Sequence, residues 1–339
     1  MSGLKDRIKV LEKLGSFFSH ISEEDSEYDR FFNVIDRAQI QNGWFQKKDC
    51  LAAIQSWGAA LQPENIAQWE RKYQLMENNA PKTIAVIMAG NIPLVGLHDL
   101  ISIWISGNRA LVKCAAKAHI LISFIVGIDS LLESLTSFTD GQLQGFDAVI
   151  ATGSNNAARY FDYYFSKYPH IIRKNKNGIA VLNGAETIDD MENLGKDMLQ
   201  YYGLGCRNVS KLYLPKDFDL NMVFGGLFPF ANVIEMNKYA NNYDYNKAVY
   251  LMSEFNFVEN SFFMLREEQA ISSPIATGHY EYYDALGPLK NHLQEQQENI
   301  QCIVSSADIE GAIAFGESQN PQLWDYADGV DTLEFLKSL

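Results

Sequence analysis

Apolar residues recur along this chain in two different patterns, and the change falls near residue 81. Before it, Leu4, Ile8, Leu11 and Leu14 follow helical spacing, as do Leu51, Ile54 and Trp57. Gln62-Pro63-Glu64-Asn65 reads as a turn into a further helix over 66–77. Residues 1 to about 80 are therefore read as amphipathic helices without recognisable chemistry. They are open to three roles: covering a sheet, shaping a substrate entrance or supporting association.

From residue 82 the texture is strand and helix in alternation. A continuous apolar strand over 82–89 ends in Gly90-Asn91-Ile92-Pro93 and leads to a helix over 94–105. A strand over 109–114 and a helix over 119–133 follow. A strand over 147–151 then runs through Thr152-Gly153-Ser154 into a helix over 155–167, and residues 178–182 form a further strand. Apolar strands without alternation, separated by helices, predict parallel sheets covered on both faces, a doubly wound α/β fold. Later strands are expected at 210–214, 233–236 and 300–304, which implies a second α/β domain. The division is placed at 1–178 and 179–339, with the last ~30 residues candidates to return to the first domain. Ligands of such sheets lie beyond the carboxyl ends of the strands. Asn91, Lys113 and Ser154 all fall at or just past such ends.

Composition narrows the function. The hydrophobic fraction of 47% and charged fraction of 21% are those of an ordinary globular protein. A net charge of −14 leaves no electrostatic footprint for nucleic acid, although a local positive site for an anionic ligand remains compatible with it. Cys50, Cys114, Cys206 and Cys302 are widely spaced and contain no CxxC pair, so neither a zinc site nor a disulfide framework is expected. Residues 1–14 are interrupted by Lys5, Asp6, Arg7, Lys9, Glu12 and Lys13, unlike a secretory signal, and no run is long enough to span a bilayer. A reducing cytoplasm is the expected location.

The densest candidate chemistry is Gly203-Leu204-Gly205-Cys206-Arg207-Asn208, placed between a helix over 191–201 and the strand over 210–214. Glycines let a substrate approach the thiol, and nearby cationic charge and N–H groups favour thiolate. Cys206 is a candidate nucleophile or a structural cysteine. Arg207 either lowers the thiol pKa or forms a surface ion pair. Thr152-Gly153-Ser154 is either a pyrophosphate site at a helix N-terminus or a serine N-cap. Lys113 is a cofactor contact or a solvated strand end. Asn91 is an oxyanion donor or a turn asparagine. No GxGxxG or GxxxxGK[ST] motif is present. Phe224, Leu227, Phe228, Phe230 and Tyr239 are candidates to line an acyl tunnel or to form core.

Taken in order, these pieces resemble the aldehyde dehydrogenase superfamily from about residue 81 to the end. Residues 203–210 and the tail Asp325-Tyr326-Ala327-Asp328-Gly329-Val330-Asp331-Thr332 resemble its LuxC-type acyl-CoA reductases. The resemblance implies two Rossmann-like domains with parallel sheets behind an N-terminal helical segment. It makes Cys206 the nucleophile and Asn91 a lining residue of the oxyanion hole. It gives Lys113 the adenosine ribose, and Gly153 and Ser154 the pyrophosphate. Asp284-Ala285-Leu286-Gly287-Pro288 faintly resembles the loop whose glutamate holds the nicotinamide ribose; here Asp284 stands for that glutamate. Ile172-Arg173-Lys174-Asn175 falls where aldehyde-oxidising members carry Glu-Leu-Gly-Gly, whose glutamate activates water. Without that base a Cys206 thioester hydrolyses slowly and survives for reduction or transfer.

The implied activity is reduction of a long-chain acyl-CoA to the aldehyde, with NADPH, or NADH, as hydride donor and CoA as leaving group. The rivals are an aldehyde dehydrogenase forming free acid, a non-catalytic nucleotide- or partner-binding homologue, and a cysteine acyltransferase or thioesterase without nicotinamide. A homo-oligomer is expected, and the resemblance adds an acyl-transferring or acyl-activating partner enzyme.

Overall fold

The computed structural model describes residues 3–339. The chain forms two compact units. One holds the residues up to Lys174 together with Pro321–Leu339, and the other is Asn175–Asn320.

The first unit begins with four helices, α1 (Leu4–Ser19), α2 (Asp29–Gln41), α3 (Lys47–Ala60) and α4 (Pro63–Tyr73). Their apolar stripes bury Leu11, Leu14, Phe18, Phe31, Ile35, Ile54 and Trp69. The sheet region follows as β1 (Thr83–Met88), α5 (Leu97–Ile105), β2 (Arg109–Cys114), α6 (His119–Val126), α7 (Ser130–Leu135) and β3 (Thr136–Phe138). It continues with β4 (Ala148–Thr152), α8 (Asn155–Phe165) and β5 (His170–Arg173). All five strands are parallel, in the order β3-β2-β1-β4-β5. The N-terminal helices add a layer outside the sheet helices: α1 lies against α5 and α2 against α6. The single helix expected over 119–133 is two helices, because Gly127 ends α6 and the Asp129 side chain starts α7 by accepting from the Leu131 N–H.

The second unit contains β6 (Asn177–Val181), α9 (Ile188–Leu199), β7 (Val209–Pro215), α10 (Leu220–Leu227), α11 (Asn237–Met252), β8 (Val258–Glu259) and β9 (Met264–Glu267). It is completed by β10 (Thr277–Tyr283), α12 (Leu286–Glu295) and β11 (Ile300–Ser305). The order is β11-β6-β7-β10-β9-β8, parallel except at β8–β9. The strand expected over 233–236 is instead part of a 3-10 helix, Phe228–Glu235. Its apolar run is too short for periodicity to separate strand from helix, and Pro229 at its start favours helix. In the opposite sense, β10 is a central strand with a polar sequence. The Lys211 ammonium, fully buried on β7, pairs with Glu281 at 2.7 Å and makes that polarity tolerable.

The C-terminal segment packs within the first unit. The Trp69 indole N–H donates to the Tyr326 hydroxyl at 2.9 Å, and the Tyr73 hydroxyl donates to Asp331 at 2.6 Å. The His98 ring stacks on Tyr326 with centroids 4.9 Å apart. In α13 (Thr332–Lys337), Thr332 accepts from Arg173 at 2.8 Å. The tail motif thus acts here as a set of bolts.

Candidate active site

In the first unit, the chain leaves β1 toward β2 and leaves β4 toward β5, so strand order reverses between β1 and β4. A crevice beyond the carboxyl ends at such a reversal is the usual place for a dinucleotide. Ile87 of β1 is level with Ala151 of β4 and Lys113 of β2. Gly90-Asn91 and Gly153-Ser154 therefore emerge side by side at the reversal. Asn91 is exposed on the bend after β1. The Gly90 carbonyl accepts from the amide of Asn42, a buried residue that ends α2. The N-terminal helices thus hold this turn, a contribution invisible in their amphipathic pattern.

Across the reversal, Ser154 is the N-cap of α8, with its hydroxyl accepting from the Ala157 N–H at 3.2 Å. The cap is real, and it leaves the positive end of the helix facing the crevice side of the strand end. Gly153 has a separate reason to be glycine. A Cβ there would lie 2.9 Å from both the Ala157 Cβ and the Phe161 ring, so its absence lets α8 close onto β4. The Lys113 ammonium donates to the Gly141 carbonyl at 2.8 Å, in the loop after β3. This clamp places its charge beside the end of β2. These residues could hold a dinucleotide phosphate: a helix N-terminus, two glycine turns and a lysine lie at the carboxyl ends of β4, β1 and β2.

Residues 172–175 end β5 and begin the link to β6. The Arg173 Nη1 donates to both carboxylate oxygens of buried Asp99, at 2.7 and 2.5 Å, and the Lys174 N–H donates to Asp328 at 3.3 Å. The segment carries no carboxylate of its own, and its Arg173 side chain is committed to the interior of the first unit.

In the second unit, Cys206 sits on a turn at the N-terminal end of β7, half-buried. The approach to it is unusual. Tyr201, Tyr202 and Gly203 have φ of 53°, 58° and 74°, three successive left-handed residues. Left-handed backbone at non-glycine residues costs of order 1–3 kcal/mol each and persists only where surroundings enforce it. Here both tyrosines are buried, and the Tyr202 ring meets Tyr239 with centroids 6.0 Å apart. Asn208 fixes the other side. Its Oδ1 accepts from the Gly205 N–H at 2.8 Å, and its Nδ2 donates to the Asp197 and Gln200 carbonyls, each at 2.9 Å. The Asn208 N–H also donates to the Gly205 carbonyl, closing the turn. A buried side chain with three such bonds holds the thiol-bearing loop on both flanks.

The turn lies flat on the sheet because Gly178 of β6 has no side chain. A Cβ there would stand 2.6 Å from the Arg207 carbonyl oxygen and 2.8 Å from that of Asn208. Beneath it, the Asp197 carboxylate, almost fully buried on α9, accepts from the Gly316 and Ser318 N–H groups at 2.7 and 3.0 Å. Burial raises its pKa despite those bonds. Cys302 of β11 comes within 3.7 Å of the Arg207 carbonyl. Sequence reasoning counted Cys302 and gave it no role; only the pairing of β11 beside β6 brings it to this corner.

Asp284 is exposed between β10 and α12, one residue before the N-cap Ala285. The aromatic residues after 220 do not form a single lining: Tyr239 is fully buried, whereas Phe228 is 74% exposed. Among the described residues, no group of three or more His, Cys, Asp and Glu is arranged to hold a metal, and no helix is long and apolar enough to cross a membrane.

The fold is that of aldehyde dehydrogenases. No protein-family model matches the chain, and no curated protein matches it. Solved structures do. Aldehyde dehydrogenase 21 from Physcomitrella patens, in complex with the reaction product succinate, aligns with a TM-score of 0.66 at 10% identity, covering 98% of this chain and 84% of that one. A Mycobacterium tuberculosis aldehyde dehydrogenase complexed with NAD+ aligns at 0.64 and 11% identity, covering 91% and 75%. An indole-3-acetaldehyde dehydrogenase complexed with NAD+ aligns at 0.63 and 12% identity, covering 90% and 73%.

Proposed function

We propose that this chain is a nicotinamide-dependent oxidoreductase that reduces a fatty acyl-CoA to the aldehyde through a thioester on Cys206. The observation that carries the reading is the strained, doubly clamped turn presenting a half-buried thiol just before the start of β7. Strained backbone held by buried anchors is a device for preorganising a reacting group.

The Cys206 thiolate attacks the thioester carbonyl of acyl-CoA, the Cys206 backbone N–H and the Asn91 amide are the proposed oxyanion donors, and the C–S bond to CoA breaks to release a thiolate that takes a proton from solvent. Gly153, Ser154, Lys113 and Asp284 are the residues assigned to hold the cofactor. When bound, the reduced nicotinamide supplies hydride to the acyl carbon. The resulting hemithioacetal collapses to aldehyde and returns the thiolate of Cys206. Lack of a carboxylate in residues 172–175 supports reduction over hydrolysis, since that segment supplies no base of its own to activate water. NADPH is favoured because Lys113 near the end of β2 and Lys117 in the turn after it put cations where an NAD-binding sheet places a carboxylate for the ribose 2′-hydroxyl. The proposal includes a homo-oligomer, checked by light scattering.

NADPH oxidation is measured on adding acyl-CoAs of several chain lengths, with Cys206→Ala alongside. Turnover in the wild type and none in the variant is expected. Formation of free acid from aldehyde and NAD(P)+ without CoA would instead establish the oxidising reading, and absence of turnover at every length despite bound NADPH would remove the reductase.

A further inference from the structure

The Cys206 turn folds back across Gly178 toward β11. Cys302 is in register with Gly178, and Gly178 is in register with Val209, so β11, β6 and β7 stand side by side at this level. The Arg207 carbonyl crosses over Gly178 and reaches the Cys302 sulfur at 3.7 Å. The residue bonded to that thiol is therefore the immediate neighbour of the nucleophile. Both cysteines are half-buried, and neither is in a disulfide. The reaction proposed above gives Cys302 no task.

We propose that Cys206 and Cys302 form a reversible redox pair, in which Cys302 resolves a peroxide-oxidised Cys206 to a disulfide and so protects the nucleophile from irreversible oxidation. The proposal rests on Cys206 being a reactive thiol. A hydroperoxide is the oxidant. The Cys206 thiolate attacks the peroxide oxygen, the O–O bond breaks, and Cys206 becomes a sulfenic acid while water or an alcohol leaves. The Cys302 sulfur then attacks the sulfenic sulfur. The S–S bond forms, the S–O bond breaks, and the hydroxyl departs as water with the Cys302 proton. Two electrons pass from the pair to the peroxide, and a dithiol reductant returns them.

The surroundings assign the order of events. Burial pushes the Cys302 thiol up to about 12, with Asp197 and a charged Cys206 adding to the shift and Arg207 opposing it. A protonated thiol reacts little with peroxide, so Cys302 is not the first site of attack, and the proposed reactive thiol Cys206 is oxidised first. Conversion of the Cys206 thiolate to a neutral sulfenic acid removes one of the charges that suppress ionisation of Cys302.

The test uses the reduced full-length protein and hydrogen peroxide, followed by alkylation and peptide mass mapping. The expected product is a single cross-link between the peptides holding Cys206 and Cys302, reversed by dithiothreitol. In Cys302→Ser and Cys302→Ala, dimedone should trap Cys206 sulfenic acid, and on longer exposure sulfinic acid should accumulate. The fraction of Cys206 recovered by dithiothreitol should fall roughly tenfold. Wild-type protein in which Cys206 reaches sulfinic acid while Cys302 stays alkylatable would overturn the pair, as would a cross-link to Cys50 or Cys114. Acyl-CoA labelling of Cys206 in the reduced protein reports the catalytic reading separately. A cross-link without acylation leaves the pair standing and removes the reductase; acylation without a cross-link does the reverse.

Discussion

The two corners of this molecule are built by opposite means. The Gly153-Ser154 corner is made of local rules: a glycine that lets a helix close on a strand, a serine that caps it, and the charge that any helix end carries. The Cys206 corner violates local rules. Two buried tyrosines adopt left-handed backbone, and a buried asparagine, a buried aspartate and a glycine on the neighbouring strand hold the turn in place. A phosphate group is recognised by backbone that helices supply freely. The proposed nucleophile must be held in one geometry, and that requires tertiary clamps.

The comparison is open to attack at several points. Cys206→Ala should lower acyl-CoA-dependent NADPH oxidation by roughly 10⁴-fold or more while leaving NADPH binding by fluorescence unchanged. A comparable loss of NADPH binding would show that the two corners are not separable. Asn208→Ala strands the Gly205 N–H and two carbonyls that it now satisfies, so chemical denaturation should show a loss of about 2–4 kcal/mol together with altered alkylation of Cys206. An unchanged denaturation midpoint would mean that the clamp is dispensable. Gly153→Ala should cost about 1–3 kcal/mol by pushing α8 off β4 and should weaken dinucleotide binding without changing Cys206 alkylation. Cys302 sharpens the picture through pH. Burial favours its protonated form, so its thiolate fraction and its iodoacetamide rate should rise about tenfold per pH unit until about 12, read by peptide mapping at several pH values. A rate that levels off near pH 9 would show an ordinary exposed thiol. Ser154→Ala should give the smallest effect, about 1 kcal/mol from the lost cap and a modest fall in dinucleotide affinity by calorimetry.

Much of the first sheet was legible because its strands are short, apolar and separated by amphipathic helices. β2 runs over the residues expected of it, and β1, β4 and β6 shift by a residue or so. What escaped was polar or brief. β5 begins with an exposed histidine, β3 has three residues, and β10 looks hydrophilic because its His279 and Glu281 face Lys211 on the paired strand. No single-strand pattern reveals a charge neutralised by a neighbour sixty or more residues away. The 3-10 helix at Phe228–Glu235 escaped for the opposite reason, as an apolar run equally suited to either state.

Local chemistry was likewise readable where one segment carries it. Glycine beside cysteine marked a thiol on a turn, and Gly-Ser before a helical stretch marked a cap at a strand end. Neither segment contains its own supports. Asn42 reaching Gly90, Gly178 making room for Arg207, and Cys302 arriving on β11 all depend on strand order and helix layering. The sequence by itself determined the alternation of elements and the residues available for chemistry, because propensity and apolar period act over a few residues. Only the tertiary structure decided which of those residues are clamped, which are strained and which thiol stands beside the Cys206 turn, because hydrogen bonds and packing act over ångströms and take no account of distance along the chain.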